Sequence, residues 1–477
     1  MPVFDFCLKA DYASSEGVNN TGLVALYEKL VQANQAWQTE PQKLQTSSEK
    51  KSSQIRQGVE GYPIVIFYLD TVNHANDDPI FLGKYNFNND KGTHDVFGLK
   101  TFQKNWYYDA LDSNEKIPLL DEDHDYLGDE SWEGADNFYP LNVFRPYING
   151  ANSHLLGPEK WAQAFPARFP GAWEDATDTG KGGPSAVESL VPDRRALQEV
   201  IAWVYSTRTE VLKQREDNTW YDACADENDP DYVGPDITNN LTREQVLANN
   251  LQKFKTEFSN YFNLNAMLLF YCFTEFFLMV DNRAKNVFWT RYITTENRDS
   301  TALLAAENQT YGKWLTLPYD FDTAMGINNQ GEFQFDYHYE DGEFLPSGQL
   351  VFNGQPSILF TNFRKAFSEE IGTTFTNMFR TVDYGFDYKP VEDFFEKHQN
   401  AWSETVFNED ARVKYISEHA NYSMAQGSKK EQRRWWLSNR FRYIQSKYQY
   451  AVDTLYIRAN KTGTISVETY ADAYVSF

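Results

Sequence analysis

The chain has 477 residues, which is enough for about three domains of ordinary size. It carries 44 lysines and arginines against 68 aspartates and glutamates, a formal net charge of −24, and this argues against a protein that wraps nucleic acid, because such proteins need a basic surface. Aromatic residues make up 16% of the chain, which excludes a disordered acidic protein, and three cysteines are too few for a disulfide framework or a four-thiolate zinc site.

The first hundred residues predict a small unit of one helix and two strands. From Gly22 to Val31, apolar residues recur at the helical spacing. The segments Ile64–Leu69 and Phe81–Phe87 are short and apolar, and the polar residues between them predict a hairpin.

Residues 101–240 predict an irregular, acidic insertion that is rich in aromatic residues. Between Asp109 and Asp136 there are eleven acidic side chains and one lysine. One helix is predicted inside the insertion, from Asp193 to Lys213.

From residue 241 to residue 450 the pattern is mainly helical. Thr242 and Gln245 have the spacing of a capping box at a helix start. Leu264–Val280 is strongly apolar, but its 17 residues include three polar ones, so it predicts a buried core helix rather than a membrane span. Two short strands follow, and then late helices that include Pro390–His398 and Glu431–Tyr448.

The C-terminal part of the chain predicts two further features. The last helix carries a basic stretch, which we expect to pair with the acidic insertion rather than with nucleic acid. Residues 451–477 alternate like a strand, and a lone strand leaves backbone groups unpaired. We therefore expect Ile465–Phe477 to pair with a neighbouring chain or to lead into further residues. The basic residues of the last helix are Lys429, Lys430, Arg433, Arg434, Arg440 and Arg442.

The first chemical signal lies directly after the apolar helix, in the segment VDNRAKNVFW (Val280–Trp289). Asp281 and Asn286 have the spacing with which protein-kinase catalytic loops present a general base and a metal-binding amide. The same residues also suit a simple helix-terminating turn, in which Arg283 and Lys285 lie near the negative end of the helix.

The second signal is the segment KWLTLPYDFDTAMG (Lys313–Gly326). A predicted strand ends here at Asp320 and Asp322. Magnesium is commonly bound by one or two carboxylates together with substrate phosphates, so these aspartates could hold a cation that bridges a nucleotide. The order of a helix, an Asp–Asn loop, two strands and an aspartate is that of a kinase C-terminal lobe, and the two segments together favour a kinase-like core.

With these residues identified, the sequence resembles the CotH spore-coat kinase family, whose members have an atypical kinase-like fold. The likeness spans roughly residues 3–448 and is interrupted by the acidic insertion. The first and third of its segments look closest to CotH-like domains within long tailed-phage virion proteins. The segments are FCLKADYASSEGVNNTGLVALYEKL, GYPIVIFYLD, FLGKYNFNNDK, VDNRAKNVFW, LPYDFDTAMG and RRWWLSNRFRYIQSKY.

The resemblance implies an α+β, atypical kinase-like two-lobed fold with a large irregular acidic insertion. Residues 1–100 would form a partial N-lobe-like unit, 101–240 the insertion, 241–450 a helical C-lobe, and 451–477 a strand-like extension. The resemblance also implies that Asp281 is the catalytic aspartate and that Asn286, Asp320 and Asp322 bind metal. Mg²⁺ and ATP would be the cofactors if the site is functional.

The chain also departs from the family pattern. Family members usually have a basic strand ahead of the LKADY-like segment, which would supply a lysine for the nucleotide. Only six residues precede Cys7 here, and the candidate substitutes are Lys9 and Lys84. The family's Arg-Asn pair near the first helix reads Asn19-Asn20, which removes one positive charge.

Two functions from different classes stay open, and the departures favour the first. The first is a structural subunit of a tailed-phage virion, in or near the tail, with a catalytically inactive kinase-like domain. The second is an ATP- and Mg²⁺-dependent protein Ser/Thr kinase of the CotH type, located in a spore coat or secreted. A carbohydrate- or surface-binding module, which would use exposed aromatic residues of the insertion, is a third reading. The expected partners are other virion subunits or copies of the chain, with no nucleic acid and no membrane span.

Two expectations separate these functions. Kinase chemistry needs its base and its metal ligands around one phosphate, so Asp281, Asn286 and Asp320 should converge on one cleft. ATP binding should be weak or absent, because the chain is strongly acidic and neither Lys9 nor Lys84 lies in a matching motif.

Overall fold

The computed structural model describes part of the chain, and most of the predicted insertion lies outside that part. The described residues are 6–10, 18–34, 36, 56–59, 61–69, 78–90, 97, 130–133, 167–169, 195–215, 217–283, 286–292, 312–328, 332–348, 350–352, 357–385, 387–399, 405–406, 409, 429–448, 456–459 and 465–468.

Helices and strands are mixed along the described residues, which confirms the α+β class. The arrangement as two kinase-like lobes stays a prediction. The strands are β1 (Phe6–Lys9), β2 (Gly61–Tyr68), β3 (Ile80–Asn89), β4 (Glu130–Glu133), β5 (Ala167–Phe169), β6 (Leu212–Gln214), β7 (Trp220–Asp222), β8 (Val287–Arg291), β9 (Leu315–Pro318), β10 (Tyr456–Ala459) and β11 (Ile465–Glu468). The α-helices are α1 (Val24–Ala33), α2 (Arg195–Ser206), α3 (Arg243–Tyr261), α4 (Leu264–Phe276), α5 (Ile358–Ala366), α6 (Ser368–Met378), α7 (Tyr388–Gln399) and α8 (Lys429–Lys447).

The N-terminal unit combines α1 with an antiparallel sheet in the order β1-β3-β2. The predicted hairpin is confirmed, since β2 and β3 pair along their length. The strand β1 was not expected from the sequence; it adds to β3 with Lys9 opposite Asn86. A π-helical turn, Val18–Leu23, precedes α1, and π-helical turns occur frequently at functional sites.

The side chains of this sheet divide into a buried polar group and an exposed apolar group. Alternate residues of a strand share a face, and Lys84, Asn86 and Asn88 of β3 are all buried. Several large apolar side chains of the same sheet and its hairpin are instead exposed to solvent, and we call them the apolar sheet patch. The patch consists of Phe6, Leu8, Tyr62, Phe67, Tyr68, Leu69, Ile80 and Leu82.

The predicted insertion is not irregular throughout. Its strands β4 and β5 join β8 and β9 in a sheet of order β5-β4-β8-β9. Glu130 pairs with Arg291, and Glu133 pairs with Phe288, in antiparallel register. The strands β4 and β5 were not expected in the insertion, because pairing with β8 fixes β4 and its acidic sequence has no strand pattern.

The helix α4 lies in the centre of the core. All of its residues from Ala266 to Phe276 are buried, which confirms the prediction of a core helix. Among the described helices, none is long and apolar enough to cross a membrane. The side chain of Asn263 caps the start of α4 by accepting a hydrogen bond from the Ala266 amide.

The helix α3 begins with the predicted capping box. The Thr242 hydroxyl accepts from the Gln245 amide at 3.3 Å, and the Gln245 side chain accepts from the Thr242 amide at 2.8 Å. Two amides of the first turn, which have no partner within the helix, are thus satisfied reciprocally.

The basic residues of α8 pair mainly with α7. Arg433 makes two parallel hydrogen bonds to the buried Glu392, with Nε–Oε2 at 3.0 Å and Nη2–Oε1 at 2.9 Å. Arg434 pairs with Glu396, one helical turn further along α7. The two carboxylates of α7 are one helical turn apart, which suits the adjacent arginines of α8. Most of the acidic insertion lies outside the described residues, so the expected pairing with it stays a prediction.

The C-terminal strand pairs within the chain. Residues 465–468 form a two-stranded antiparallel sheet with residues 456–459, and the expected pairing with a neighbouring chain stays a prediction. The hairpin pairs the backbone groups along one edge of each strand, which a lone strand would leave unpaired. Residues 469–477 of the same prediction lie outside the described residues.

His398, in the last turn of α7, should make stability fall as the solution becomes acidic. Its ring lies 4.9 Å from that of Phe394, and burial lowers the pKa of the imidazole. Above the unfolded-state pKa of about 6.5 the imidazole is neutral in both states, and the fold keeps its full stability. As pH falls from there through the folded pKa, the unfolded chain binds the proton more readily, so the folded state loses stability. We expect the urea midpoint to fall less between neutral and mildly acidic pH in His398→Gln than in the unmodified chain. Identical pH profiles for the two proteins would contradict this.

Candidate functional site

The β8–β9 hairpin brings Asn286 and Asp320 to the same end of a sheet. Val287 pairs with Pro318, and the next step along the ladder joins the Tyr319 amide to the Asn286 carbonyl at 2.9 Å. Asp320 follows Tyr319 directly. Two residues that are far apart in the sequence are thus held side by side through their backbones.

The loop that carries Asp281 is tied to this end of the hairpin by its neighbour Asn282. The fully buried Asn282 amide donates to the Asn286 carbonyl at 3.1 Å and to the Tyr319 carbonyl at 2.8 Å. Asp281 itself is only 6% exposed. Sequence reasoning missed Asn282, although an amide directly after the candidate base was a visible signal.

Asn286 and Asp320 both have left-handed backbone conformations. Their φ angles are 27° and 57°. Asn and Asp tolerate this region better than most residues, but such positions still cost on the order of 1–3 kcal/mol and concentrate at functional sites. The strain falls on the two residues that the sequence selects as metal ligands.

Lys9 reaches Asp320 from the N-terminal sheet. The Lys9 ammonium forms an ion pair with the Asp320 carboxylate, and the two side chains are 31% and 26% exposed. Lys84 lies on the same face of the sheet as Asn86, the strand partner of Lys9, and is completely buried.

Cys7 of β1 also lies near this point. Its burial raises the pKa of the thiol, as do the nearby carboxylates of Asp90 and Asp320, whereas the ammonium of Lys9 opposes the shift. The start of β1 therefore faces the Asp320 turn with a neutral thiol beside the ion pair.

The π-helical turn holds the backbone that follows Asp320. The Asn20 side chain accepts a hydrogen bond from the Phe321 amide at 2.6 Å, and the Asn19 side chain donates to the Asp322 carbonyl at 2.9 Å. Both asparagines are buried. The Asn-Asn pair thus positions the aspartate-bearing turn through its backbone.

The predicted metal ligands Asn286, Asp320 and Asp322 all carry oxygen donors, which is the donor type that Mg²⁺ prefers. In the described part of the chain there is no group of three or more His, Cys, Asp or Glu side chains that could hold a metal by itself. Mg²⁺ in nucleotide sites needs only one or two carboxylates, because phosphates and water complete its shell. The donor set suits that kind of site.

Arg283 satisfies the end of α4, as the alternative interpretation of the loop expected. It donates to the Tyr271 carbonyl and the Thr274 hydroxyl. Unlike the arginine of a surface turn, it is 2% exposed, and it also pairs with Glu275. Lys285 lies outside the described residues.

A family model described as CotH kinase protein matches residues 205–424. The match contains the hairpin end and the loop before it, and it leaves Lys9 and Lys84 outside. No curated protein matches the chain, and the likeness to tailed-phage proteins stays a prediction. Over residues 205–424, the region that carries Asp281, Asn286 and the Asp320 turn, the chain is similar to CotH kinase proteins.

Proposed function

We propose that the chain is an ATP- and Mg²⁺-dependent phosphotransferase of the CotH type that phosphorylates a protein hydroxyl. The observation that carries the proposal is the Lys9–Asp320 ion pair. Weak or absent ATP binding was expected because the chain is strongly acidic and neither Lys9 nor Lys84 lies in a matching motif. Lys9 supplies a cation beside Asp320.

Each residue has a role that follows from its chemistry. Lys9 would bind nucleotide phosphates, and this offsets the repulsion of an acidic protein for an anionic ligand. Asn286 and Asp320, supported by Asp322, would hold Mg²⁺, which neutralises phosphate charge when bound. Asp281 would accept the proton of the acceptor hydroxyl.

The Lys9–Asp320 contact also indicates what binding must change. In the absence of ligand, each group neutralises the other. Lys9 would instead pair with phosphate oxygens of a bound nucleotide, which would leave Asp320 able to hold a cation. The two side chains are both partly exposed, so the exchange does not require the core to open.

Calorimetry with Mg-ATP tests the proposal. We expect a dissociation constant in the micromolar range for the unmodified chain and no detectable heat for Asp320→Ala. Lys9→Met should weaken binding by about 10- to 100-fold, because a hydrogen bond to a charged group contributes roughly 1.5–3 kcal/mol. Lys365→Met is the matched control, since Lys365 is similarly exposed and pairs with Glu210 away from the site. The proposal would be contradicted if the unmodified chain gave no detectable heat with Mg-ATP, or if Asp320→Ala still gave binding heat.

A structural role in a tailed-phage virion is the second candidate, and the apolar sheet patch favours it. Single exposed apolar side chains are ordinary on a monomer, but eight of them on one small sheet and its hairpin favour a region that another protein covers. Other virion subunits or copies of the chain would be the partners, with a spore coat or secretion as the alternative location. This candidate predicts no heat with Mg-ATP and normal assembly of the Asp281→Ala variant.

A further inference from the structure

We infer that Asp341 is a positioning residue of the site. Its carboxylate holds the segment after the Asp320 turn, residues 332–345, against the loop of Asp281, and it does so without phosphorylation of that segment. The inference rests on the proposed function, because the phosphoryl transfer that Asp341 would support is part of that proposal. The contacts that carry it are independent of any ligand.

The first contact set anchors the loop of Asp281 to α4. Arg283 follows Asp281 by two positions, and its guanidinium donates to the Tyr271 carbonyl at 2.8 Å and to the Thr274 hydroxyl at 2.9 Å. It also lies 2.9 Å from the Glu275 carboxylate. A movement of Arg283 would therefore move the loop that carries Asp281.

The second contact set joins Arg283 to the segment after the Asp320 turn. One carboxylate oxygen of Asp341, Oδ2, lies 3.4 Å from Arg283 Nη1 and 2.9 Å from Arg364 Nη1. The Asp341 amide donates to Glu275 Oε1 at 3.1 Å. Asp341 is 13% exposed in its side chain, so these interactions are little screened by water.

The rest of this segment is fixed to α8. Arg440 is fully buried and donates to the carbonyls of Tyr337 and Tyr339, at 2.5 and 2.8 Å. The Trp436 indole donates to the Phe335 carbonyl at 3.2 Å. Asp341 thus completes a set of anchors and is the point at which the segment meets Arg283.

In kinases whose activation segment is regulated, a phosphorylated side chain orders that segment by pairing with arginines. Here Asp341 places a permanent carboxylate between Arg283 and Arg364. The segment is therefore ordered in the unmodified chain, and the site is assembled without a phosphorylation step.

A substitution at Gly342 tests the pairing of Asp341 with Arg364 without changing a charge. Its φ is +85°, and a Cβ built there would lie 2.8 Å from both Nη atoms of Arg364. Gly342→Ala should therefore push the Arg364 guanidinium away from Asp341 without adding or removing a charged group.

The experiment measures amide hydrogen exchange in the full chain without nucleotide, together with phosphoryl-transfer kinetics. Asp341→Asn and Gly342→Ala should speed exchange both in residues 332–345 and in residues 275–283. Each should lower kcat by about 10- to 100-fold through misplacement of Asp281, with KM for ATP unchanged. Asp341→Glu should restore most of both readouts, and phosphatase treatment of the unmodified chain should change neither.

The matched control is Asp336→Asn, because Asp336 lies on the same segment and is exposed beside His338. Unchanged exchange at residues 275–283 in both Asp341→Asn and Gly342→Ala would overturn the inference, as would an equal effect of Asp336→Asn. Faster exchange after phosphatase treatment would also overturn it. If the unmodified chain gives no heat with Mg-ATP, the proposed function fails, but the exchange data still decide whether Asp341 controls the loop.

Discussion

Replacing Glu275 by alanine should destabilise the fold by about 3–5 kcal/mol, because the change removes a carboxylate that lies between two buried guanidinium groups. Glu275 is 3% exposed, and its oxygens lie 2.9 Å from Arg283 and 3.6 Å from Arg440. Urea denaturation at neutral pH measures the loss.

The matched control is Glu370→Ala. Glu370 pairs with Lys255 at 2.9 Å, but both side chains are more than one-third exposed to solvent. Exposed pairs contribute about 0–1 kcal/mol, since water screens the charges and the long side chains lose freedom on pairing. Equal losses in the two variants would show that Glu275 is not the counter-ion of a buried pair.

Local patterns in the sequence predicted the elements whose cause is local. The capping box at Thr242, the apolar run of α4 and the β2–β3 hairpin each depend on residues that are neighbours in the chain. Their helical or alternating spacing is therefore visible without knowledge of the fold.

Elements that depend on distant partners were not predicted. The strand β1 is four residues long and is defined by its pairing with β3, and β4 is defined by its pairing with β8. Neither segment has a long apolar alternation that would reveal it. Pairing of backbones across the sheet fixes such strands, and a single sequence does not show which segments will meet.

The residues of the candidate site likewise include some that the sequence predicted and some contacts that it did not. Asp281, Asn286 and Asp320 were selected by residue type and spacing. Lys9 was named only as a substitute for the family's lysine, and its contact with Asp320 was not predicted, because the two meet only when β1 pairs with β3. Glu275 appeared in the sequence as a polar interruption of an apolar helix. In the structure, Glu275 neutralises Arg283 of the loop and Arg440 of α8.

Asp281→Asn should lower phosphoryl transfer by about 10²- to 10⁴-fold and leave Mg-ATP binding unchanged. Asparagine has nearly the same size as aspartate, so the buried position can be refilled, but its amide cannot accept the proton of the acceptor hydroxyl. The Asn282 side chain ties the loop to the hairpin through the Asn286 and Tyr319 carbonyls, and these hydrogen bonds are kept in Asp281→Asn. The measurement is transfer of labelled γ-phosphoryl to serine- and threonine-containing peptides, with calorimetry on the same protein.

Asp322→Asn is the comparison variant, because Asp322 lies on the same turn as Asp320 but is assigned only a supporting role toward the cation. It should lose transfer and Mg-ATP affinity together, whereas Asp281→Asn should lose transfer alone. Full transfer by Asp281→Asn would exclude Asp281 as the base. Loss of both binding and transfer in that variant would instead make Asp281 a structural residue of the loop, because a proton acceptor acts on the reaction and not on the affinity for the nucleotide.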